Sequence, residues 1–214
     1  MATAFQTEAF QFNAFQIDAE GGAVNPVGLT NWALAANGGV ATASSVNTGG
    51  LAGAYTTNHA NDGFRTGKNW AKNLTDAGWN DATLNVWGDW LQIDFVGAKT
   101  VGIINVITLR DNYAAGIEPT LADTFTMYGI IDFDVQYWDG TAFVNVPGGS
   151  VTGNTKVWCQ FIFSPVTTAK IRVTVNDGKA SFSRIVELEA WGSEAIWSGV
   201  SRGRNLAGIS RGRM

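Results

Sequence analysis

Aromatic and polar side chains recur in the glycine-rich, irregular stretches of this chain, and together they have the chemistry of a sugar-binding site. Sugars stack their apolar faces on exposed aromatic rings, and a few polar groups fix their orientation. Arg110 could contact the carboxylate of an acidic sugar through two N–H groups, or it could simply pair with Asp111 or another carboxylate. We predict that the ligand-binding residues are Tyr55, His59, Trp79, Arg110, Asn112 and Tyr113.

The sequence offers little for catalysis. The single histidine, His59, lies in a glycine- and asparagine-rich segment, so no pair of histidines can form a metal-hydrolase motif. Two carboxylates could cleave a glycosidic bond, but nothing distinguishes a particular pair among the 18 acidic residues. The single cysteine, Cys159, excludes an intrachain disulfide and alternates with apolar residues, which predicts a buried, inert thiol. We therefore predict that the protein is not an enzyme.

The turn Asn61-Asp62-Gly63 could contribute to a calcium site. Calcium takes six to eight oxygen ligands from carboxylates, amide carbonyls and main-chain carbonyls. This short segment offers one carboxylate together with several carbonyls. In the alternative interpretation, Asp62 only caps its own turn. We predict a structural Ca²⁺ in which Asp62 is a ligand.

Strands must position these loops. From Trp90 to Phe95 the side chains alternate, with Leu91, Ile93 and Phe95 on one apolar face. Asp139-Gly140 and Asn176-Asp177-Gly178 are predicted turns, and 110–127 is a long connection. Further strands are predicted at 101–109, 130–138, 144–146, 156–163, 170–175 and 185–190, and a short one at 41–46. Seven or eight strands without a convincing helix indicate an all-β sandwich.

The composition agrees with such a protein. Only 15% of the residues are charged, while the chain has 26 glycines and 9 tryptophans, which suits strands joined by long, shaped loops. The net charge of −4 makes a nucleic-acid partner unlikely for the body of the protein. The sequence contains no apolar run of 18 residues, so we predict no membrane insertion, and no signal segment is visible at the start.

The two ends differ from the body. Residues 1–25 contain three Ala-Phe-Gln units, which we interpret as an assembly arm or a disordered leader. Residues 198–214 repeat Ser-Arg-Gly-Arg and carry four arginines, whereas the remaining 10 basic residues are outnumbered by 18 acidic ones. This tail could bind an acidic protein surface, serve as a flexible solubilising tail, or contact nucleic acid. The predicted domains are therefore 1–25, 26–197 and 198–214.

Over about residues 30–192 the body resembles the discoidin family, also called the coagulation-factor C-type domain. The resemblance implies a galactose-binding-like jelly-roll β-sandwich, a fold that many carbohydrate-binding modules share. It is carried, in the family's order, by Ala43-Ser44-Ser45, Asn61-Asp62-Gly63 with Trp70, Trp90-Leu91-Gln92-Ile93-Asp94-Phe95, the segment 163–173, and Glu187-Leu188-Glu189-Ala190-Trp191-Gly192.

The resemblance also implies roles for single residues. In related carbohydrate-binding modules a structural calcium uses the Asp of the early turn and a Glu of the closing strand, which correspond to Asp62 and Glu187. Trp70, Trp90 and Trp191 match family positions that pack in the core, whereas Trp79 could be buried or exposed. The ligand loops of the family vary freely, so no sugar-binding residues are carried over, and the disulfide of many members cannot form here.

Three functions fit these features. The terminal repeats are similar in style to repeats on bacteriophage virion proteins, which suggests a non-enzymatic phage virion surface, decoration or fibre-type protein. In that case the domain would be displayed for host-glycan binding, and the arms would attach it to other virion proteins or to sister copies, as a homo-oligomer. The second interpretation is a secreted or cell-surface carbohydrate-binding module, located extracellularly. The third is a purely structural virion protein without a ligand.

Overall fold

The alternating stretch that the sequence analysis identified lies in a long strand, β4 (Asp89–Thr108). The computed structural model describes residue 26 and residues 28–194. Leu91 and Ile93 are fully buried and Phe95 is nearly so, whereas Trp90 and Asp94 on the opposite side are partly exposed. The predicted orientation of this strand is therefore confirmed.

Eight strands make up the described part of the chain, together with four short 3-10 turns. The strands are β1 (Thr30–Asn31), β2 (Val40–Ala43), β3 (Trp79–Asn80), β4 (Asp89–Thr108), β5 (Ile130–Trp138), β6 (Phe143–Val151), β7 (Trp158–Gly178) and β8 (Arg184–Glu194). The 3-10 turns are Ala35–Asn37, Thr57–Ala60, Tyr113–Ala115 and Lys179–Ser181. No helix in this part of the chain has the length and hydrophobicity needed to cross a membrane.

Strands β4 and β7 each run through both layers of the sandwich. The first part of β4 pairs with β2 and with the end of β7, which continues the layer to β5 and then β6. After a break in register between Asp94 and Lys99, β4 pairs with the start of β7 and with β8. Strand β8 also pairs with β1 and β3, and all these pairings are antiparallel. The predicted all-β sandwich is confirmed.

The main core lies between the two layers. It combines Leu91 and Phe133 from one layer with Ile104 and Leu188 from the other. Full burial of one such side chain contributes about 1.5–3 kcal/mol. A second cluster, which includes Trp70, Ile107 and Trp158, packs separately beneath the long loops. The fold thus has a rigid centre that can hold loops in place.

The long connections meet at one end of the sandwich, here called the loop end. Thr108, the last residue of β4, accepts a hydrogen bond from the Ile130 amide at 3.1 Å and donates one to the Arg184 carbonyl at 2.9 Å. Asn154 donates to the Ile130 carbonyl at 2.9 Å. The connections 109–129, 152–157 and 179–183 therefore lie side by side. The connection 44–88 joins them because the Ser183 amide donates to Asp81 Oδ1 at 2.7 Å.

Several predicted boundaries were wrong. The strands predicted at 90–95 and 101–109 are one strand, and so are those at 156–163 and 170–175, because each strand continues from one layer to the other across a break in its register. Residues 176–178, predicted as a turn, lie at the end of β7, where Asp177 and Gly178 pair with Asp132 and Ile130 of β5. The hairpin at Asp139-Gly140 is confirmed, with Asp139 Oδ1 accepting the amides of Thr141 and Ala142. The predicted arms lie outside the described residues.

Candidate functional site

Four aromatic rings and one arginine gather at the loop end, and we call them the loop-end cluster: Tyr55, Tyr113, Tyr128, Phe182 and Arg184. The Arg184 guanidinium carbon lies 5.2 Å from the centre of the Phe182 ring and 5.7 Å from that of Tyr128. The Tyr113 ring packs edge-on against Tyr128 at 6.1 Å between centroids. Tyr55 packs against Trp70 at 5.5 Å. All four cluster rings are half-exposed, so each keeps a surface that a ligand can contact.

Arg184 is held in place by main-chain atoms. Its two terminal nitrogens donate to the carbonyls of Lys179 at 2.8 Å and Ala180 at 3.1 Å. Burial lowers the pKa of this guanidinium, and the nearby Asp81 and the three tyrosines oppose that shift. Burial likewise raises the pKa of Tyr55, against the opposing charge of Arg184. Among the described residues, no carboxylate lies within ion-pair distance of Arg184.

The turn that Arg184 caps has an unusual backbone. Ala180 and Ser181 are consecutive and have φ angles of 50° and 68°, in the left-handed region that residues with a Cβ rarely adopt. Each such residue costs about 1–2 kcal/mol. The Ser181 carbonyl accepts a hydrogen bond from the Asn85 amide at 2.9 Å, which ties the turn to the long connection 44–88. Strain of this kind is concentrated at functional sites in proteins.

A cleft of about 310 Å³ opens beside the cluster. Lys179 links the two, because its amide donates to the Gly129 carbonyl at 2.9 Å and its own carbonyl accepts from Arg184. The lining of the cleft combines apolar and polar residues: Phe125, Thr126, Ile131, Gly153, Asn154, Thr155 and Lys179. A ligand bound to the cluster could therefore extend into it.

The structure brings Tyr55 and Tyr113 of the predicted ligand residues into the cluster. Asn112 precedes Tyr113 and is exposed. Arg110 is 14% exposed and braces its own loop: it donates to the Ile117 carbonyl at 2.8 Å and lies 3.6 Å from Asp123 Oδ2. Its carboxylate partner is Asp123, in agreement with the alternative that Arg110 pairs with a carboxylate of the protein. These contacts make Arg110 a residue that shapes the loop.

Two of the predicted ligand residues are corrected. Trp79 is 0% exposed, donates from Nε1 to the Ser45 carbonyl at 2.8 Å and belongs to the main core, so it cannot stack on a sugar. It is buried because residues 79–80, predicted to lie in a loop, pair with β8. His59 is 5% exposed, and its Nε2 lies 3.2 Å from the Gly53 carbonyl, which it serves to anchor.

Three members of the cluster, Tyr128, Phe182 and Arg184, are not among the residues predicted from the sequence. Tyr128 directly follows the long connection 110–127, and Phe182 and Arg184 flank the start of the closing strand. A usable signal was present in Phe182-Ser183-Arg184, where an aromatic and a cationic residue precede a strand of apolar and acidic residues. Their proximity to Tyr113 depends on strand order, which spacing in the sequence does not reveal.

The two predicted metal ligands are close to each other. The Gly63 amide, next to Asp62, donates to Glu187 Oε1 at 3.1 Å. Asp62 accepts the Phe64 amide at 3.0 Å and the Asp76 amide at 2.8 Å, so it also caps its turn, as the alternative interpretation held. Burial raises the pKa of the Asp62 carboxyl despite these hydrogen bonds.

Glu187 provides a test of whether these residues fit a cation. It is 0% exposed, and its Oε2 has no hydrogen-bond partner. Burial, with Glu189 and Asp62 close by, raises the pKa of this carboxyl well above its usual range. An orphaned, buried carboxylate oxygen beside a second carboxylate fits a bound cation or a bound proton. The described residues contain no group of three metal-binding side chains, so most calcium ligands would be main-chain oxygens or water.

Cys159 has the properties of an unreactive thiol. It is half-buried, and burial raises the pKa of its thiol to about 11. The thiol therefore stays protonated at neutral pH, which is the state of an inert cysteine. This agrees with the prediction made from its apolar neighbours.

Comparison with solved structures finds the same architecture in several carbohydrate-binding modules. The chain is similar to the family 32 carbohydrate-binding module of Clostridium perfringens NanJ in complex with galactose, with 17% identity, a TM-score of 0.51, and coverage of 76% of this chain and 98% of that one. It is also similar to chitosan-binding module 1 of a chitosanase/glucanase from Paenibacillus sp. IK-5, with 17% identity, a TM-score of 0.54, and coverage of 76% and 99%.

A third similar structure is a much longer enzyme. It is a GH29 fucosidase of Ruminococcus gnavus in complex with fucose, with 17% identity, a TM-score of 0.53, and coverage of 77% of this chain and 27% of the fucosidase. No protein-family model and no curated protein sequence matches the chain. At these identities the similarity establishes the fold alone. The fold predicted from the sequence, a discoidin-like, galactose-binding-like jelly roll, is confirmed.

Proposed function

We propose that the protein is a non-catalytic glycan-binding module whose site is the loop-end cluster. The observation that carries this proposal is the convergence of three half-exposed tyrosines and Phe182 around Arg184 at the end where all the long loops meet. Such rings provide stacking surfaces for the apolar faces of sugars, and the tyrosine hydroxyls and loop amides provide polar contacts. The adjoining cleft offers room for a further sugar unit.

A glycan-array screen of the full-length protein, followed by calorimetry on the best ligand, tests this proposal. Phe182→Ala and Tyr113→Ala should each weaken binding at least tenfold, because each removes a stacking surface. Trp138→Ala is the matched control, since Trp138 is a half-exposed aromatic residue on the outer face of β5, packed on Phe143. Loss of binding in Trp138→Ala alone would move the site to that sheet face, and a folded protein that binds no glycan would overturn the proposal.

We further propose that a structural Ca²⁺ is held by Asp62 and Glu187. The orphaned Oε2 of Glu187 supports this assignment, since a bound cation would compensate its buried charge. The ion would join the long connection 44–88 to β8 beneath the site. Its role would be to hold the loop end in shape, with no part in chemistry.

The placement of the module on a phage virion surface, with an extracellular module as the alternative, remains a prediction based on the terminal repeats. Deleting residues 1–25 and 198–214 separates the two. For a virion protein we expect the truncated chain to keep glycan binding and to lose incorporation into particles, as measured by mass spectrometry of purified virions. For an independent extracellular module, the truncation should leave every measurable property unchanged.

A further inference from the structure

Two cationic residues, Lys179 and Arg184, lie close together at the loop end of an acidic protein. The chain has a net charge of −4 and an isoelectric point near 4.9. Lys179 and Arg184 nevertheless lie within one connection at the candidate site, and they are joined through the Lys179 carbonyl at 2.8 Å. Among the described residues, neither side chain has a carboxylate within 4.0 Å. A cationic pair without an internal partner is available to an anionic ligand.

The neighbouring carboxylates are already engaged elsewhere. Asp81 accepts the amides of Thr83 and Ser183, both at close range, and Thr83 also donates its hydroxyl. Asp111 accepts two amides and a hydroxyl from Thr126 and Met127. Asp132, near the cleft, accepts the Gly153 amide at 2.8 Å. These hydrogen bonds hold each acid in its own loop, and Asp81 offsets part of the Arg184 charge without forming an ion pair with it.

The two cations are suited to different roles. Lys179 is exposed and lines the cleft, so its ammonium can reach a bound group directly. Arg184 is 8% exposed and acts through its charge, which is only weakly screened in a partly buried position. Arg184 also donates to the Ala180 carbonyl and so stabilises the left-handed turn at Ala180 and Ser181. This turn fixes the position of the neighbouring Lys179. Lys179 is therefore a contact residue, and Arg184 is a positioning residue.

We infer that the site selects glycans that carry an anionic substituent, a carboxylate or a sulfate, seated against Lys179 at the mouth of the cleft. This inference rests on the proposed function and specifies its ligand class. The rings of the loop-end cluster would stack on the sugar, and the cationic pair would discriminate acidic from neutral units. It moves the acid-recognition role that the sequence suggested for Arg110 to Lys179 and Arg184, because Arg110 is occupied by Asp123 and the Ile117 carbonyl.

The test compares matched sugars on the full-length protein by calorimetry at about 20 mM and about 500 mM salt. The sugars are lactose, its sialylated form and its sulfated form, together with galactose and galacturonic acid oligomers. We expect at least one acidic sugar of a pair to bind about tenfold more tightly than its neutral partner at low salt, and the difference to shrink at high salt. The carboxylate and sulfate arms identify which anion is preferred.

Variants separate charge recognition from general damage. Lys179→Gln should lower the ratio of acidic to neutral affinity about five- to tenfold. Lys179→Glu should reverse the preference. Lys170→Gln is the control, because Lys170 lies away from the loop end, stacked on Trp138 at 5.3 Å and 3.7 Å from Asp94. For Arg184→Gln, the ratio of acidic to neutral affinity is the informative value, since loss of the turn alone would weaken both sugars equally.

Two results would overturn the inference in distinguishable ways. If neutral and acidic sugars bind equally and Lys179→Gln changes neither, the protein is a glycan-binding module without charge selection. If no sugar of either kind binds the folded protein, the proposed function fails, and this inference fails with it.

Discussion

Glu187 and Glu189 lie two residues apart on the same side of β8, and both are almost completely buried, at 0% and 1% exposure. Their surroundings differ. Glu189 accepts hydrogen bonds from Arg65 at 2.6 Å, Asn105 at 2.7 Å and Trp191 at 2.8 Å. Glu187 accepts one, from the Gly63 amide at 3.1 Å, and its second oxygen has no partner.

The difference shows that the described residues supply a cation and hydrogen-bond donors to Glu189 but no ion-pair partner to Glu187. Burial alone would lower the pKa of Arg65, but Glu189 and Glu118 outweigh it and raise that pKa, so the pair is ionised and mutually stabilised. The Arg65 guanidinium also lies 4.8 Å above the Trp158 ring. Glu187 has no comparable cation. A buried charge without a partner is costly, and the described residues supply no ion-pair partner to Glu187, so a proton or a bound ion would neutralise it.

The largest loss of stability should come from removing Arg65, the cationic partner of Glu189. Arg65→Met leaves Glu189 buried and negative, which should reduce the free energy of unfolding by about 3–5 kcal/mol, measured by urea denaturation. Glu118→Gln is the control, because this partner of Arg65 is 49% exposed and its loss should cost less than about 1 kcal/mol. The double variant Arg65→Met/Glu189→Gln should recover much of the loss. Equal costs for Arg65→Met and Glu118→Gln would contradict the comparison.

Calcium should stabilise the folded protein by binding at Asp62 and Glu187. At a concentration 100 times its dissociation constant, Ca²⁺ should stabilise the protein by about 2.7 kcal/mol, or roughly 5–10 °C in thermal unfolding. Glu187→Gln and Asp62→Asn should abolish this gain, while Glu118→Gln should retain it. If calcium does not change the melting temperature of the unchanged protein, the calcium assignment is wrong. A proton would then be the neutralising partner of Glu187.

Without calcium, acidification should stabilise the protein through Glu187. The folded-state pKa of this carboxyl is raised above the unfolded value of about 4.3, so the folded state binds more protons between the two values. Stability should therefore rise as the pH falls through the folded pKa and level off near the unfolded one, with a slope of at most about 1.4 kcal/mol per pH unit. The difference between the unchanged protein and Glu187→Gln isolates this contribution, and a flat difference would contradict it.

The smallest effect should come from Lys68. Its ammonium lies 3.5 Å from Asp76 Oδ2 but is 51% exposed, so Lys68→Met should change stability by less than about 0.5 kcal/mol. Asp76→Asn, which disturbs hydrogen bonds from Thr66 and Gly67, should cost more. A large loss in Lys68→Met would mean that the exposed ion pair between Lys68 and Asp76 contributes more than a surface pair normally does, which would contradict this ranking.

Much of the fold could be read from local patterns. Alternation predicted the buried face of residues 90–95 and the full extent of β5, and the order of the motifs predicted the jelly roll. Strand continuity could not be predicted, because β4 and β7 cross between layers at segments that look like breaks in the sequence. The exposure of Trp79 was undecidable locally, since it depends on pairing with Ile185 more than 100 positions away.

The sequence by itself determined the class of the protein: an all-β domain with few charges, a single inert cysteine and ends of unlike composition. Short-range alternation and turn chemistry depend on neighbouring residues, so they are visible in the chain alone. Only the tertiary structure decided which side chains meet. Strands distant in sequence lie side by side, and this arrangement brings together Tyr113, Phe182 and Arg184. It also gives Glu189 three side-chain hydrogen-bond donors and leaves one oxygen of Glu187 without a donor. Burial and charge pairing, which determine function here, arise only from that arrangement.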